Sequence, residues 1–539
     1  MKNKQNNNKN PNADLERMIA NIIKILLAFY FVIMNCIRFR IVPFVSPVSG
    51  IPLVETGYYV NVFSSFKLEL GYIAGILLLV FFLIYLFISE IKITLLDISI
   101  LCFISITIIS SFFSKYITVA TWGTHERAIG SIFIVKTMFL LYVASKLKYS
   151  KKDFTIMDAL IAVFLVLNVA LSFLNSIGVN LAENTNFLIN FLGVDKLNLD
   201  NISGYISGTL ENPNYMSFAA AMFFVYSLAR MGFSNSIFVY PNVIMSFVLL
   251  LLSASSSGMI AALCALPFFL LFFFKKNKQI NKKEKNVITT CAFISLILAI
   301  IIFQYFPPAR REIQQTAKML PIYGLYLFVF FIILKLDLLE KVLINYKKVF
   351  LISGIIALLP IIFIVLVPYS EDYGKHNPKI TYEYEELKVM LEERIERDID
   401  FGALSGREGI WKYTIDLIKD KPVFGYGLST LVYEFPQFSI LKTNILPITH
   451  ILSKPHNIYL EIAFGVGLIG LFAYILIFSS LLLSSSKHFL HTENENYLAL
   501  LMVLVVFLIQ ALVNDIEIGS YAVSMIMIGI LKSKTEEIE

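Results

Sequence analysis

Charge is scarce in this chain. Of its 539 residues only 16% are Asp, Glu, Lys or Arg, where a soluble domain carries about 25%. A soluble core of this size needs a charged shell, and the residues for one are missing. That excludes a cytosolic enzyme and a disordered protein. Cysteine is equally sparse. Cys36, Cys102, Cys264 and Cys291 lie in or beside apolar runs with no C-x-x-C pair. They read as small core residues, with no disulfide framework or zinc site implied. The six histidines show no H-E-x-x-H or comparable spacing, so neither a metal site nor a cofactor is implied.

What the chain has in abundance is apolar sequence. It is 57% hydrophobic, with a mean hydropathy of +0.73. A membrane-spanning helix needs about 20 mainly apolar residues. Fourteen blocks approach that length: 18–37, 71–89, 94–113, 129–145, 154–176, 215–231, 236–253, 258–274, 286–306, 321–338, 349–368, 457–483, 497–513 and 517–531. The expected fold is therefore all-α, a polytopic membrane bundle of about 14 spans. Ser253 to Gly258 is short enough to join two of them as a tight hairpin.

The net charge of +6 does not point to nucleic acid, because the basic residues sit in short segments between apolar blocks. Their distribution sets orientation. The six lysines between Lys275 and Lys285, and Lys146, Lys148, Lys151 and Lys152, fall on loops of one side. By the positive-inside rule that side is cytoplasmic. Both termini are then cytoplasmic and the protein is a multi-pass membrane protein. The start, MKNKQNNNKNPN, reads as a polar disordered tail, and the first apolar block as a retained anchor. The expected organisation is a tail at 1–17, about eleven spans in 18–368, a large extracytoplasmic loop at 369–455, three spans in 456–531, and a tail at 532–539.

The hydrophilic loop 369–455 breaks the pattern. Its stretch GREGIWKYTIDLIKDKP reads as an amphipathic helix, with Ile410, Tyr413, Leu417 and Ile418 on one stripe. Thr414 interrupts that stripe and Ile415 falls beside it. Pro422 and Gly425 punctuate its end. A structured loop over a helical bundle often carries function; a plain spacer is the alternative.

Two stretches of this region hold residues capable of chemistry. In Lys454-Pro455-His456-Asn457-Ile458-Tyr459-Leu460, the proline sets the entry of a helix. His456 then sits at the outer mouth, where a neutral imidazole can take a proton from a hydroxyl. The plainer reading is an interfacial histidine bonded to a backbone carbonyl. Arg407 precedes the amphipathic helix, where a guanidinium and free helix N–H groups both suit an anion. A salt bridge with Glu408 would explain it as well. Trp411 lies four residues on, on the same face, and suits a sugar ring or a lipid tail. Gly123-Thr124-His125-Glu126-Arg127 and Gly208-Thr209-Leu210-Glu211-Asn212-Pro213-Asn214-Tyr215 each precede a span on the same side. Asn212-Pro213 alone would serve as a helix entry.

Together these stretches resemble the O-antigen ligase and polymerase superfamily of bacterial envelope proteins. The resemblance is carried by GR-x-x-x-W followed by P-x-x-G-x-G between Gly406 and Gly427, and by PHN-x-Y-L from Pro455 to Leu460. Gly465, Gly467 and Gly470 follow in the next helix. GT-x-x-N-P-N at 208–214 and G-T-x-x-R-x-x-G at 123–130 also look like members of this group. The resemblance implies a GT-C-like, metal-independent glycosyltransferase. Such proteins move a glycan from a polyprenyl (undecaprenyl) diphosphate carrier to an acceptor on the outer face of the plasma membrane. Ligases use a lipid or other acceptor, and polymerases another carrier-linked chain. A teichoic acid or capsule chain is the donor where the envelope lacks lipopolysaccharide.

By the same resemblance, His456 is the general base and Arg407 holds the diphosphate. Trp411, Asn457 and Asn214 are candidate acceptor or sugar contacts. Many members carry a Ser-Arg pair at the hairpin, where this chain has Ser256 in the arginine's place. Arg127 is the expected substitute, with Arg310 and Arg311 as competitors. The alternative from another class is a transporter or flippase, which requires polar paths and broken helices. The clearest charges within the spans are Lys24, Lys136, Asp97 and Asp158, close enough to ends to snorkel or to face the bundle.

Overall fold

The computed structural model describes residues 13–38, 40–43, 58–61, 63–124, 128–176, 208–210, 212–231, 234–253, 407–435, 453–492 and 495–536, with scattered positions in 255–269 and 355–366. Apart from one antiparallel hairpin, β1 (Arg40–Pro43) with β2 (Tyr58–Asn61), every element among the described residues is a helix. The helical class expected from the sequence stands, and the hairpin is a small addition to it. Each strand is four residues long, too short for alternation to announce it.

The helices are α1 (Ala13–Ile33), α2 (Ser65–Ile88), α3 (Leu95–Phe112), α4 (Ile117–Trp122), α5 (Ser131–Ser145), α6 (Lys151–Ser176), α7 (Pro213–Met231) and α8 (Val239–Leu252). They are followed by α9 (Arg407–Asp420), α10 (Leu431–Glu434), α11 (Ile458–Thr492), α12 (Glu495–Gln510) and α13 (Ile518–Glu536). Ten of them fall on apolar blocks read from the sequence. Among the described residues four are long and apolar enough to cross a membrane: Ser65–Ile88, Leu95–Phe112, Lys151–Asn175 and Ile458–Phe489. The blocks at 286–306 and 321–338 lie outside the described residues, and those at 258–274 and 349–368 largely so.

Helix is the form such runs must take, because in hydrocarbon each backbone donor needs a partner within its own segment. The bundle sorts its helices by depth. In α12 and α13 almost every side chain from Tyr497 to Leu531 is buried, including Tyr497, Met502, Phe507, Tyr521 and Met527. These two pack against α7 and α5. By contrast α2 buries only a stripe (Leu68, Ala74, Leu78, Phe82) and turns Ile73, Ile76, Val80 and Phe87 outward, as a lipid-facing helix does.

Successive helices alternate in direction, so the bundle has two ends. One end carries His456, and the other carries the start of α1 and the end of α13. Ion pairs lock that second end. Asp97 receives Lys146 Nζ at 2.6 Å and Lys532 Nζ at 2.8 Å, and also closes a capping box with Thr94 at the start of α3. Asp158 accepts from Arg230 Nε at 2.8 Å and Nη2 at 2.7 Å, and Arg230 also reaches Asn496. Lys24 pairs with Asp153 at 2.9 Å. Lys136 instead has its ammonium 4.6 Å from the Tyr72 ring centre and 4.8 Å from that of Phe133.

Candidate functional site

The amphipathic helix α9 is built into the bundle. Its apolar stripe (Ile410, Tyr413, Leu417, Ile418) packs against Leu460, Ala463, Phe464 and Leu471 of α11. The stripe is wider than its spacing suggests, for Ile415 and Thr414 are buried too. Thr414 tolerates this because its hydroxyl donates back to Ile410 O at 2.7 Å, which satisfies that hydroxyl.

After α9 the P-x-x-G-x-G stretch inserts its backbone into a break in α11. At Gly467 the backbone leaves helical geometry (φ 81°, ψ 176°). That break frees carbonyls which would otherwise bond within the helix. Tyr426 N–H takes Phe464 O at 2.8 Å, Gly427 N–H takes Gly465 O at 3.0 Å, and Leu468 N–H donates to Pro422 O at 2.7 Å. The approach leaves no room for side chains. A Cβ on Gly467 would lie 2.0 Å from Val423 O, and one on Gly425 2.2 Å from Phe464 O. Both glycines have left-handed φ, 81° and 67°, as does Gly427 at 98°. Serines on the last turns of α3 support the same joint. Ser110 Oγ lies 2.6 Å from both Phe424 O and Gly465 O, and Ser114 Oγ donates to Tyr426 O at 2.5 Å.

His456 stands just before α11, with the α12–α13 turn beside it. Asn457 opens α11: its Oδ1 accepts from Leu460 N–H at 3.0 Å and its Nδ2 donates to Leu512 O at 2.9 Å. Ile458 N–H donates to Ala511 O at 2.8 Å. Against this frame His456 Nδ1 lies 2.6 Å from Asp515 Oδ2. Asp515 is buried, while the His456 side chain is 36% exposed. A carboxylate only accepts, so Nδ1 is the donor of this pair, and in the neutral imidazole that orientation leaves Nε2 as the acceptor. His456 also has φ 54°, a backbone state few non-glycine residues adopt.

The remaining motifs converge on the same end. A narrow cleft is lined by Ser64, Ile129, Tyr215, Lys454, Ile516, Glu517 and Ile518. Lys454 Nζ donates to Ile516 O at 3.3 Å. Glu517 caps α13 through Gly519 N–H and Ser520 N–H at 2.8 and 2.6 Å, and lies 3.9 Å from Lys67 Nζ. Lys67 in turn donates to Thr209 O at 2.5 Å, tying the 208–214 stretch to α2. Ser429 Oγ donates to Ile129 O at 2.7 Å, tying the segment after α9 to the entry of α5.

The described residues among those singled out from the sequence can now be placed. Trp411 Nε1 donates to Pro455 O at 2.7 Å, so α9 meets the chain directly beside His456. Arg407 opens α9 one turn before Trp411. Asn214 Oδ1 accepts from Ser255 Oγ at 2.6 Å, and Asn514 Nδ2 donates to Asn214 O at 3.1 Å. Arg127, Arg310, Arg311 and Ser256 lie outside the described residues. Asp515 and Glu517 escaped the sequence reading. The available signal was Asn514-Asp515-Ile516-Glu517, two carboxylates between two apolar blocks of a charge-poor chain. Among the described residues no three His, Cys, Asp or Glu side chains group as metal ligands.

A further carboxyl at this end, Glu434, has a perturbed pKa. Glu434, at the end of α10, is buried. Burial pushes its pKa up from 4.5 to about 7, against the opposing pull of Lys421 and Lys115.

These features define a helical membrane protein whose polar machinery gathers at one end, around a histidine–carboxylate pair. Residues 316–475 match the family model described as O-Antigen ligase, which supports placing the chain in the O-antigen ligase/polymerase superfamily. The match covers less than a third of the chain. It includes Arg407, Trp411, both halves of the glycine joint and His456, and stops short of Asp515. No curated protein matches the chain.

Proposed function

We propose that this protein is an integral membrane glycosyltransferase that moves a glycan from undecaprenyl diphosphate to an acceptor hydroxyl on the outer face of the plasma membrane. The observation carrying this is the His456–Asp515 pair at 2.6 Å at the mouth of the bundle, whose histidine falls within the segment that matches O-Antigen ligase. In this reading the fourteen apolar blocks span the membrane with both termini cytoplasmic, and the family resemblance makes the bundle GT-C-like.

His456 Nε2 removes the proton of the acceptor hydroxyl while Asp515 stabilises the imidazolium that forms. The hydroxyl oxygen bonds to the anomeric carbon as the bond from that carbon to the diphosphate oxygen breaks. The electron pair leaves with the lipid diphosphate. Arg407, at the start of α9, neutralises that charge together with the free N–H groups of the helix; Arg127 is the second cation. A polymerase would use the same residues with a carrier-linked glycan as acceptor.

The test is transfer in proteoliposomes loaded with an undecaprenyl diphosphate glycan and a panel of lipid and glycan acceptors. Replacing His456→Ala should lower the rate by about 10²–10⁴-fold. Undiminished transfer by that variant would remove the general-base role.

A further inference from the structure

We infer that Trp411 is a positioning residue that holds His456 in its working conformation through the Pro455 carbonyl. The inference rests on His456 being the general base.

The peptide between Pro455 and His456 carries both groups involved. Its oxygen is the one that Trp411 Nε1 binds at 2.7 Å. Its nitrogen is the atom about which φ of His456 is measured, and that φ is 54°. Holding the oxygen therefore holds the peptide plane that sets the left-handed state. A non-glycine residue in that state persists only where its surroundings over-determine it. The other described restraints on this short stretch come from the α12–α13 turn: Asp515 on the imidazole, Leu512 O on Asn457, Ala511 O on Ile458 N–H. Trp411 is the restraint supplied by α9. It holds the backbone before His456 while the turn holds the imidazole, so the residue is fixed by elements about 100 residues apart in sequence.

α9 is itself fixed twice, by its apolar packing on α11 and by the glycine joint that follows it. The orientation of the indole is thus set by the body of the protein. The nearest competing role, a sugar or lipid contact, places the indole on substrate. The two roles differ in which kinetic constant they move. A substrate contact supports binding and acts on KM; a mount for the base acts on kcat.

The experiment compares wild type with Trp411→Phe, which keeps an aromatic ring and deletes the donor. Steady-state transfer is measured in proteoliposomes after monodispersity has been checked. We expect kcat to fall about tenfold to a hundredfold while KM for donor and acceptor stays within about threefold. A raised KM with unchanged kcat would overturn the inference in favour of substrate contact, and unchanged constants would overturn it outright. Where Trp411→Phe fails to fold, a benzothienylalanine in its place keeps the shape and lacks the N–H. Wild-type constants in that protein would likewise overturn the inference.

A second readout needs no substrate. Carbethoxylation of His456, followed by peptide mass spectrometry, should change in rate in Trp411→Phe. Transfer that survives His456→Ala would defeat the general-base reading, and the altered carbethoxylation would still mark Trp411 as the histidine's mount. Transfer that depends on His456 and is indifferent to Trp411→Phe would defeat the mount alone.

Discussion

The two ends of the bundle hold their polar groups by opposite means. At the end distant from His456, Asp97 and Asp158 are each gripped by cations on two of their oxygens, and the backbone is regular. At the His456 end the carboxylates serve turns and a histidine. Among the described residues, the three non-glycine residues with left-handed φ all lie there: Ala128, Ser429 and His456. Each sits in a different segment, at the entry of α5, after the glycine joint, and before α11. One end is built to be rigid. The other carries backbone strain, which persists where surrounding structure imposes it and tends to accompany chemistry.

That contrast can be broken by substitution. The largest effect on folding should come from Asp158→Ala. It leaves Arg230 buried without its bidentate partner, which costs about 3–5 kcal/mol. Thermal unfolding in detergent, or failure to accumulate in membranes, would register it. A mild effect there would mean that the ion locks are not what fixes the distant end. Next comes Asp515→Asn, which preserves shape while removing the charge behind His456. Transfer should fall by about a hundredfold with little change in unfolding temperature. A loss of stability instead of activity would make the pair a structural lock like those opposite.

The smallest effect concerns Glu434. Its folded pKa of about 7 lies above its ordinary 4.5, so between those values the native state holds a proton that the unfolded chain releases. Stability should therefore decline as pH rises from 4.5 to about 7 and level off above it. Glu434→Gln should flatten that slope and raise the unfolding temperature at pH 8 relative to wild type. An unchanged slope would show that burial at this end does not penalise charge as it should.

Helices were the most legible feature, because run length alone decides whether a segment can satisfy its backbone in lipid. The expected block at 154–176 and the observed Lys151–Ser176 differ by three residues at one end. The expected 457–483 extends to Thr492 in α11, since helix continues into the polar Ser484-Ser485-Ser486 where hydropathy stops. The site was legible where a motif is contiguous. Pro455-His456-Asn457 and Arg407 to Trp411 could be read directly. Asp515 could not, because it meets His456 across 59 residues, and no local periodicity links an imidazole to a distant turn. The glycines at 465 and 467 were legible only as part of the resemblance; what they meet is the segment that begins at Pro422.

That backbone exchange sets where this protein can be cut and rejoined. The outer loop looks like a cassette lying between two spans, a natural unit to trade between relatives in search of new acceptor preferences. It is not separable at those borders. Three of its peptide groups complete the ladder of α11, so residues 422–427 and 464–468 form one part in two pieces. A chimera that transplants the loop while keeping the host's own α11 would pair mismatched halves. The junction has to fall beyond Leu468.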